Sequence, residues 1–179
     1  MLRVGALALS CLVLCGSLLP GSAGAEEAAV TPVTVSHVSG KPVPRFEALR
    51  YAAVNGRTGP SQDHPIAWRY ERAGLPVLVL KETRGWRFVR DPDGDEVWMH
   101  ARTLTATDMA MVREPLTLLA SPADGASAKG RVEAGAIMSL GRCEDGFCHV
   151  SSGRRGGWAP IDALWGAGLA APSSSEPAG

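Results

Sequence analysis

The chain has 179 residues, with 18 basic and 18 acidic side chains. That length bounds it to one or two small domains. The balanced charge leaves no electrostatic footprint for a nucleic acid partner.

The first 25 residues read as a signal peptide rather than as part of the fold. Arg3 supplies a positive start, Val4 to Leu19 is almost entirely apolar, and Ala23-Gly24-Ala25 forms an A-x-A cleavage site before Glu26. Pro20, Gly21 and small residues follow the apolar run without a basic stop-transfer flank. No stable membrane insertion is therefore expected after cleavage. Cys11 lies too early in the apolar run for lipoprotein processing, and Cys15 follows the bulky Leu14. The expected location is periplasmic or secreted.

Residues 26–45 are rich in Ala, Val, Thr, Ser and Pro and show no helical period, which predicts an extended linker. Its Val-Thr alternation would also suit an edge strand. From there the chain reads as short strands. Pro76 to Thr83 is a largely apolar run with Val-Leu alternation, and Trp86 to Arg90 alternates large apolar with charged residues. Asp91-Pro92-Asp93-Gly94 is a turn, and Glu96 to His100 returns as the paired strand. Ala101 to Leu104 reads as one tight helical turn. Strands then recur at Ile137 to Leu140, Phe147 to Ser151 and Gly157 to Pro160, with a turn at 153–156. No segment sustains a 3.6-residue apolar period, so the class is all-β. The tail, 169–179, is low in complexity and is expected to be disordered.

The middle of the chain is written twice. Pro60 pairs with Pro122, Gly74 with Gly135, Gly85-Trp86 with Gly146-Phe147, Val89 with Val150, Trp98 with Trp158 and Leu104 with Leu164. The offset drifts only from 62 to 60 residues, longer than most solenoid repeats and suited to two small domains. We place the first at 46–108 and the second at 109–168.

Loss of the leader would leave Cys143 and Cys148 as the only cysteines. They flank Glu144-Asp145-Gly146-Phe147, and Asp-Gly is a strong hairpin signal, so a disulfide across the hairpin is expected in an oxidising compartment. The C-x-x-x-x-C spacing is not that of a thioredoxin motif, and no second pair completes a zinc site.

These residues resemble a known family, the bacterial Src-homology-3-type domains, in the tandem form found in secreted proteins of alphaproteobacteria. The resemblance rests on Val54-Asn55-Gly56-Arg57-Thr58-Gly59-Pro60, Pro65-Ile66-Ala67-Trp68, Gly74-Leu75-Pro76-Val77, Trp86 to Asp91 and Trp98-Met99-His100. In the second copy it rests on Gly157-Trp158 and Asp162 to Gly166. It covers roughly 45–168. It implies two tandem five-stranded, partly open small barrels, without catalysis. Members attached to cell-wall hydrolases contact peptidoglycan. Three positions depart from the family. An apolar residue usually stands where Gly56 does, so the first strand is expected to end early or bulge. Val97 replaces the glycine that usually precedes the tryptophan matched by Trp98. The second copy lacks N-x-R-x-G-P, so the first copy is the better candidate for a ligand site.

Enzyme signatures do not converge. The histidines His37, His64, His100 and His149 are not at metal spacing, and neither H-E-x-x-H nor G-x-S-x-G occurs. Asp91 to Glu96 lacks the length and distal glutamate of a calcium loop. No cofactor or metal is expected. The aromatic residues are the better candidates, because an aromatic-lined groove recognises extended peptides and the apolar faces of glycans. Trp68 and Tyr70 lie two apart on one side of an extended segment, after the Thr58-to-His64 loop. Trp86 and Arg72 complete the candidate site, the arginine as a carboxylate partner. Trp98 and Trp158 are expected in the core, which a barrel of this size needs to fill. The expected function is an exported binding or targeting module of the cell envelope, with peptidoglycan or an envelope protein as partner. The alternative is a scaffold or assembly factor without wall affinity.

Overall fold

A computed structural model describes residues 33–106 and 108–169. The expected leader and tail lie outside these residues. Among the described residues no helix is long and apolar enough to cross a membrane.

The chain opens with a small hairpin, β1 (Thr34–Val35) against β2 (Pro42–Val43). The first copy follows as β3 (Arg45–Leu49), β4 (Val54–Arg57), β5 (Ile66–Tyr70), β6 (Pro76–Thr83), β7 (Trp86–Arg90), β8 (Glu96–His100) and β9 (Leu104–Thr105). The second copy is β10 (Met109–Val112), β11 (Leu116–Leu119), β12 (Ala128–Val132), β13 (Ile137–Glu144), β14 (Phe147–Ser152), β15 (Arg155–Pro160) and β16 (Leu164–Trp165). Single 3₁₀ turns, Ala101–Thr103 and Ile161–Ala163, precede β9 and β16.

The two sheets share one topology. The first runs β5-β4-β8-β7-β6-β3-β9 and the second β12-β11-β15-β14-β13-β10-β16. Each ladder has seven strands, counting the two-stranded arms β4–β5 and β11–β12 and the short last strands β9 and β16. The ladders run from edge to edge, leaving β5 and β12 as edge strands. Part of the expected linker forms strands. Within 26–45, the residues from Thr34 fold as the β1–β2 hairpin, and Val43 is buried in the first core.

Period-2 alternation sets what each strand buries. Val77 and Val79 on β6, Val89 on β7, and Val97 and Met99 on β8 are nearly or fully shielded and form the first core with Leu49, Val54 and Leu104. Ala110, Val112, Leu118, Met138, Val150, Ala159 and Leu164 form the second. In the second copy, Asp145 and Gly146 both take positive φ, 50° and 79°, the two-residue turn that an Asp-Gly pair favours. Cys143 pairs directly with Cys148 across this hairpin, and a disulfide joins them. The closed loop is short, so reduction is expected to lower stability by about 2 kcal/mol. Urea melts with and without reductant check this, and coincident curves would refute it.

The two sheets also pack on one another. Met111 and Ile137 of the second copy pack against the first core. The Trp165 indole N–H donates to the Pro76 carbonyl at 2.9 Å, and its ring meets Phe46 edge-on at 5.3 Å. At Gly166 (φ 107°) a Cβ would stand 2.4 Å from the Met109 carbonyl and 3.2 Å from Pro76, so glycine is required at this close approach.

Buried charge fixes the N-terminal hairpin to the first sheet. Glu82 of β6, whose side chain is 0% exposed, is ion-paired with Arg45 of β3. It also accepts from the Ser39 hydroxyl at 2.5 Å. Arg45 bonds Glu47 through Nε at 2.9 Å and reaches the Pro42 carbonyl at 3.2 Å. Arg87 Nε lies 2.8 Å from Glu82 Oε1, at an angle that makes an ion pair but no hydrogen bond. Burial alone would raise the Glu82 pKa. Hydrogen bonds from Ser36, Ser39 and Arg45, with the charge of Arg45, outweigh burial and lower it to about 2.

Candidate functional site

The four predicted ligand residues divide among three places. Trp68 and Tyr70 stay together. Trp68 pairs with Gly56 and Tyr70 with Val54, so both share the core-facing side of the β4–β5 arm. Tyr70 packs against the core, and its hydroxyl donates to Asp91 at 2.9 Å. Burial first, then this bond and the charges of Asp91, Asp95 and Asp93, push its pKa well above the usual phenol range, so it stays a donor. Trp68 lies beyond the rim of the core and is 53% exposed, on an edge strand that also exposes Ile66.

Gly56 is what allows this arrangement. A Cβ there would stand 2.7 Å from Val97 Cγ2 and 3.0 Å from Tyr70 Cε2. The expected bulge follows it, as the β4–β5 register shifts between Gly56 and Arg57. The rest of the N-x-R-x-G-P motif builds the loop beside Trp68. Arg57 Nη1 donates to the His64 carbonyl at 2.7 Å, Thr58 N to Pro65 O at 3.1 Å, and the His64 ring lies 2.2 Å from where a Gly59 Cβ would be. Gly59 therefore cannot carry a side chain without moving His64.

Trp86 and Arg72 do not join this pair. Trp86 pairs with His100 across β7–β8, meets its ring edge-on at 5.2 Å, and shares the outward side with Phe88 and Trp98. Arg72 follows the end of β5, and its guanidinium reaches the second copy, 3.5 Å from where a Cβ of Gly135 would stand. The fold thus brings Trp68 and Tyr70 together and places Trp86 and Arg72 apart from them.

A correction concerns Trp98, which was expected in the core. Trp98 is half-buried on the outward side, tilted against Phe88 at 5.2 Å, with Lys81 Nζ 4.3 Å above the Phe88 ring. Trp158 is buried, 6% exposed, as expected. It meets His149 edge-on at 5.5 Å, with the Arg142 guanidinium 5.1 Å from its ring. Each copy therefore keeps a cation, a ring and a tryptophan in one outward row. The signal for these rows was the alternation of Trp86 to Arg90, read together with the Phe88–His149 equivalence.

Among the described residues no cluster of His, Cys, Asp or Glu has the makings of a metal site. The site can offer an exposed ring face and an edge strand. These suit recognition of an extended ligand.

The comparisons with known proteins agree with the repeat. Residues 50–105 and 112–166 each match the bacterial SH3 domain family. The chain belongs to this family. Bacterial SH3 domains are binding modules, and here two follow in tandem. No curated protein matches the chain. Among solved structures it is similar to NlpC2 from Trichomonas vaginalis, at 17% identity and a TM-score of 0.32, covering 68% of this chain and 48% of that one. It is likewise similar to NlpC1 from the same organism, at 17% identity and a TM-score of 0.31, covering 73% and 48%. The chain thus spans about half the length of those structures.

Proposed function

We propose that this protein is an exported, non-catalytic binding module of the cell envelope, and that it takes peptidoglycan through the Trp68 rim of its first bacterial SH3 domain. The observation that carries the reading is Trp68 itself, a large ring 53% exposed on the edge strand of a binding-module fold. With Ile66, 51% exposed on the same strand, the ring gives a ligand an apolar face to stack on. The apolar leader at 1–25 supports export. The family supports wall recognition, since bacterial SH3 domains often bind peptidoglycan.

Trp68→Ala removes the exposed ring without opening the core. It is expected to weaken retention on purified sacculi by about tenfold, a loss typical of one well-packed aromatic contact. Co-sedimentation of wild type and variant at matched concentration measures this. Equal retention of the two would remove Trp68 from the site. The scaffold reading predicts instead that neither protein sediments with sacculi and that a discrete envelope protein is captured.

A further inference from the structure

The second copy carries a cleft that the first copy has filled. Strand registers make the two positions equivalent: Gly56 opposes Trp68 in β4–β5, and Leu118 opposes Gly130 in β11–β12. Tyr70 opposes Val54, and Val132 opposes Leu116. Thus Gly130 and Val132 stand where the first copy has its two rings. The space they vacate is an open cleft of about 730 Å³, within the usual range for a ligand site. Its floor is apolar, with Leu118 5% and Met138 4% exposed beside Val132.

Charge diverges at the same place. The first copy closes this side with Asp91, Asp93 and Asp95, and Tyr70 is bonded to Asp91. In the second copy the corresponding turn supplies Arg154 and Arg155, and the arm adds Lys129 and Arg131. Glu133 is the one acid in the lining, 3.5 Å from Arg131. The whole chain balances its charges, so this local excess is a feature of the cleft and not of a generally basic surface. The cleft also runs along β12, an edge strand with unpaired backbone groups.

We propose that this cleft binds an acidic peptide segment in extended conformation. Main-chain bonds to β12 would hold the segment, Leu118, Val132 and Met138 would take an apolar side chain, and the rim cations would pair with flanking carboxylates. The apolar floor favours a peptide over a bare anion. The proposal stands apart from wall recognition by Trp68, because it concerns the other copy and a different ligand chemistry.

The test is titration of the purified protein with the peptide acetyl-Ala-Glu-Val-Glu-Ala-amide, followed by amide chemical shifts. The Gln-for-Glu peptide and inorganic phosphate serve as controls. Saturable binding of the acidic peptide is expected, weakening with added salt and mapping to residues 128–132 and 152–156. The Arg154→Ala/Arg155→Ala double variant is expected to bind about tenfold more weakly. Gly130→Trp should abolish binding by restoring the ring of the first copy. A Cβ at Gly130 meets nothing within 4 Å, so this variant is expected to fold. Trp68→Ala should bind as wild type does. Absence of saturable binding, equal binding of the Gln peptide or of phosphate, or wild-type affinity in Gly130→Trp would overturn the proposal.

Discussion

Replacing Glu82 by glutamine is expected to destabilise the folded chain by about 3–5 kcal/mol, the usual cost of breaking a buried ion pair from one side. Glutamine removes the counter-charge of the Arg87 guanidinium, 13% exposed, and leaves the equally buried Arg45 with Glu47 alone. It also weakens the acceptor for Ser39, and with it the hold on the β1–β2 hairpin. The pH dependence follows from the same group. A carboxylate held at about 2, below its ordinary 4.5, contributes stability that is fully present above pH 4.5 and is lost as pH falls toward 2. That loss amounts to about 3 kcal/mol. Denaturant melts across this window should show the loss in wild type and a flatter profile in Glu82→Gln. Parallel profiles would show that Glu82 is not the group responsible.

Trp165→Ala is expected to cost about 3 kcal/mol and to uncouple the two sheets. The ring is half-buried, donates to the Pro76 carbonyl at 2.9 Å, packs on Phe46, and lies 5.2 Å from the Arg113 guanidinium. Truncation removes the two contacts that cross to the first copy, at Pro76 and Phe46, together with the Arg113 contact within the second. Wild type should unfold in one transition, and Trp165→Ala in two, the sheets then melting separately. Calorimetry distinguishes these outcomes. A single, unshifted transition in the variant would show that the remaining contacts, such as Met111 and Ile137 on the first core, suffice.

Local patterns were legible in the sequence where one short-range rule decides. Pro76–Thr83, Trp86–Arg90 and Glu96–His100 are strands at the spans their alternation predicts. The Asp145-Gly146 turn brought its cysteines together. The departure at Gly56 was visible as well, although its meaning, room for Tyr70 against Val97, needed the third dimension. What was not legible depends on which side of a sheet a residue faces. A register shift between Val79 and Lys81 alters the alternation on β6, so a side could not be assigned by counting. Trp98, on β8, was expected inside because so small a barrel needs large residues to fill it, yet Val97 and Met99 alternate with it into the core and Trp98 faces out. The pairing of Arg45 with Glu82 spans 37 residues and leaves no periodic trace. Arg72 was expected in the Trp68 site as a carboxylate partner, but β5 ends at Tyr70 and the Arg72 guanidinium reaches the second copy.

Co-sedimentation of the purified protein with intact sacculi, alongside capture from envelope extract, tests the central claim most directly. The account predicts saturable retention on sacculi that Trp68→Ala weakens and Glu71→Gln, at an exposed neighbouring acid, leaves unchanged. Failure to sediment with sacculi, together with stoichiometric capture of a discrete envelope protein, would contradict wall recognition and make the protein a scaffold.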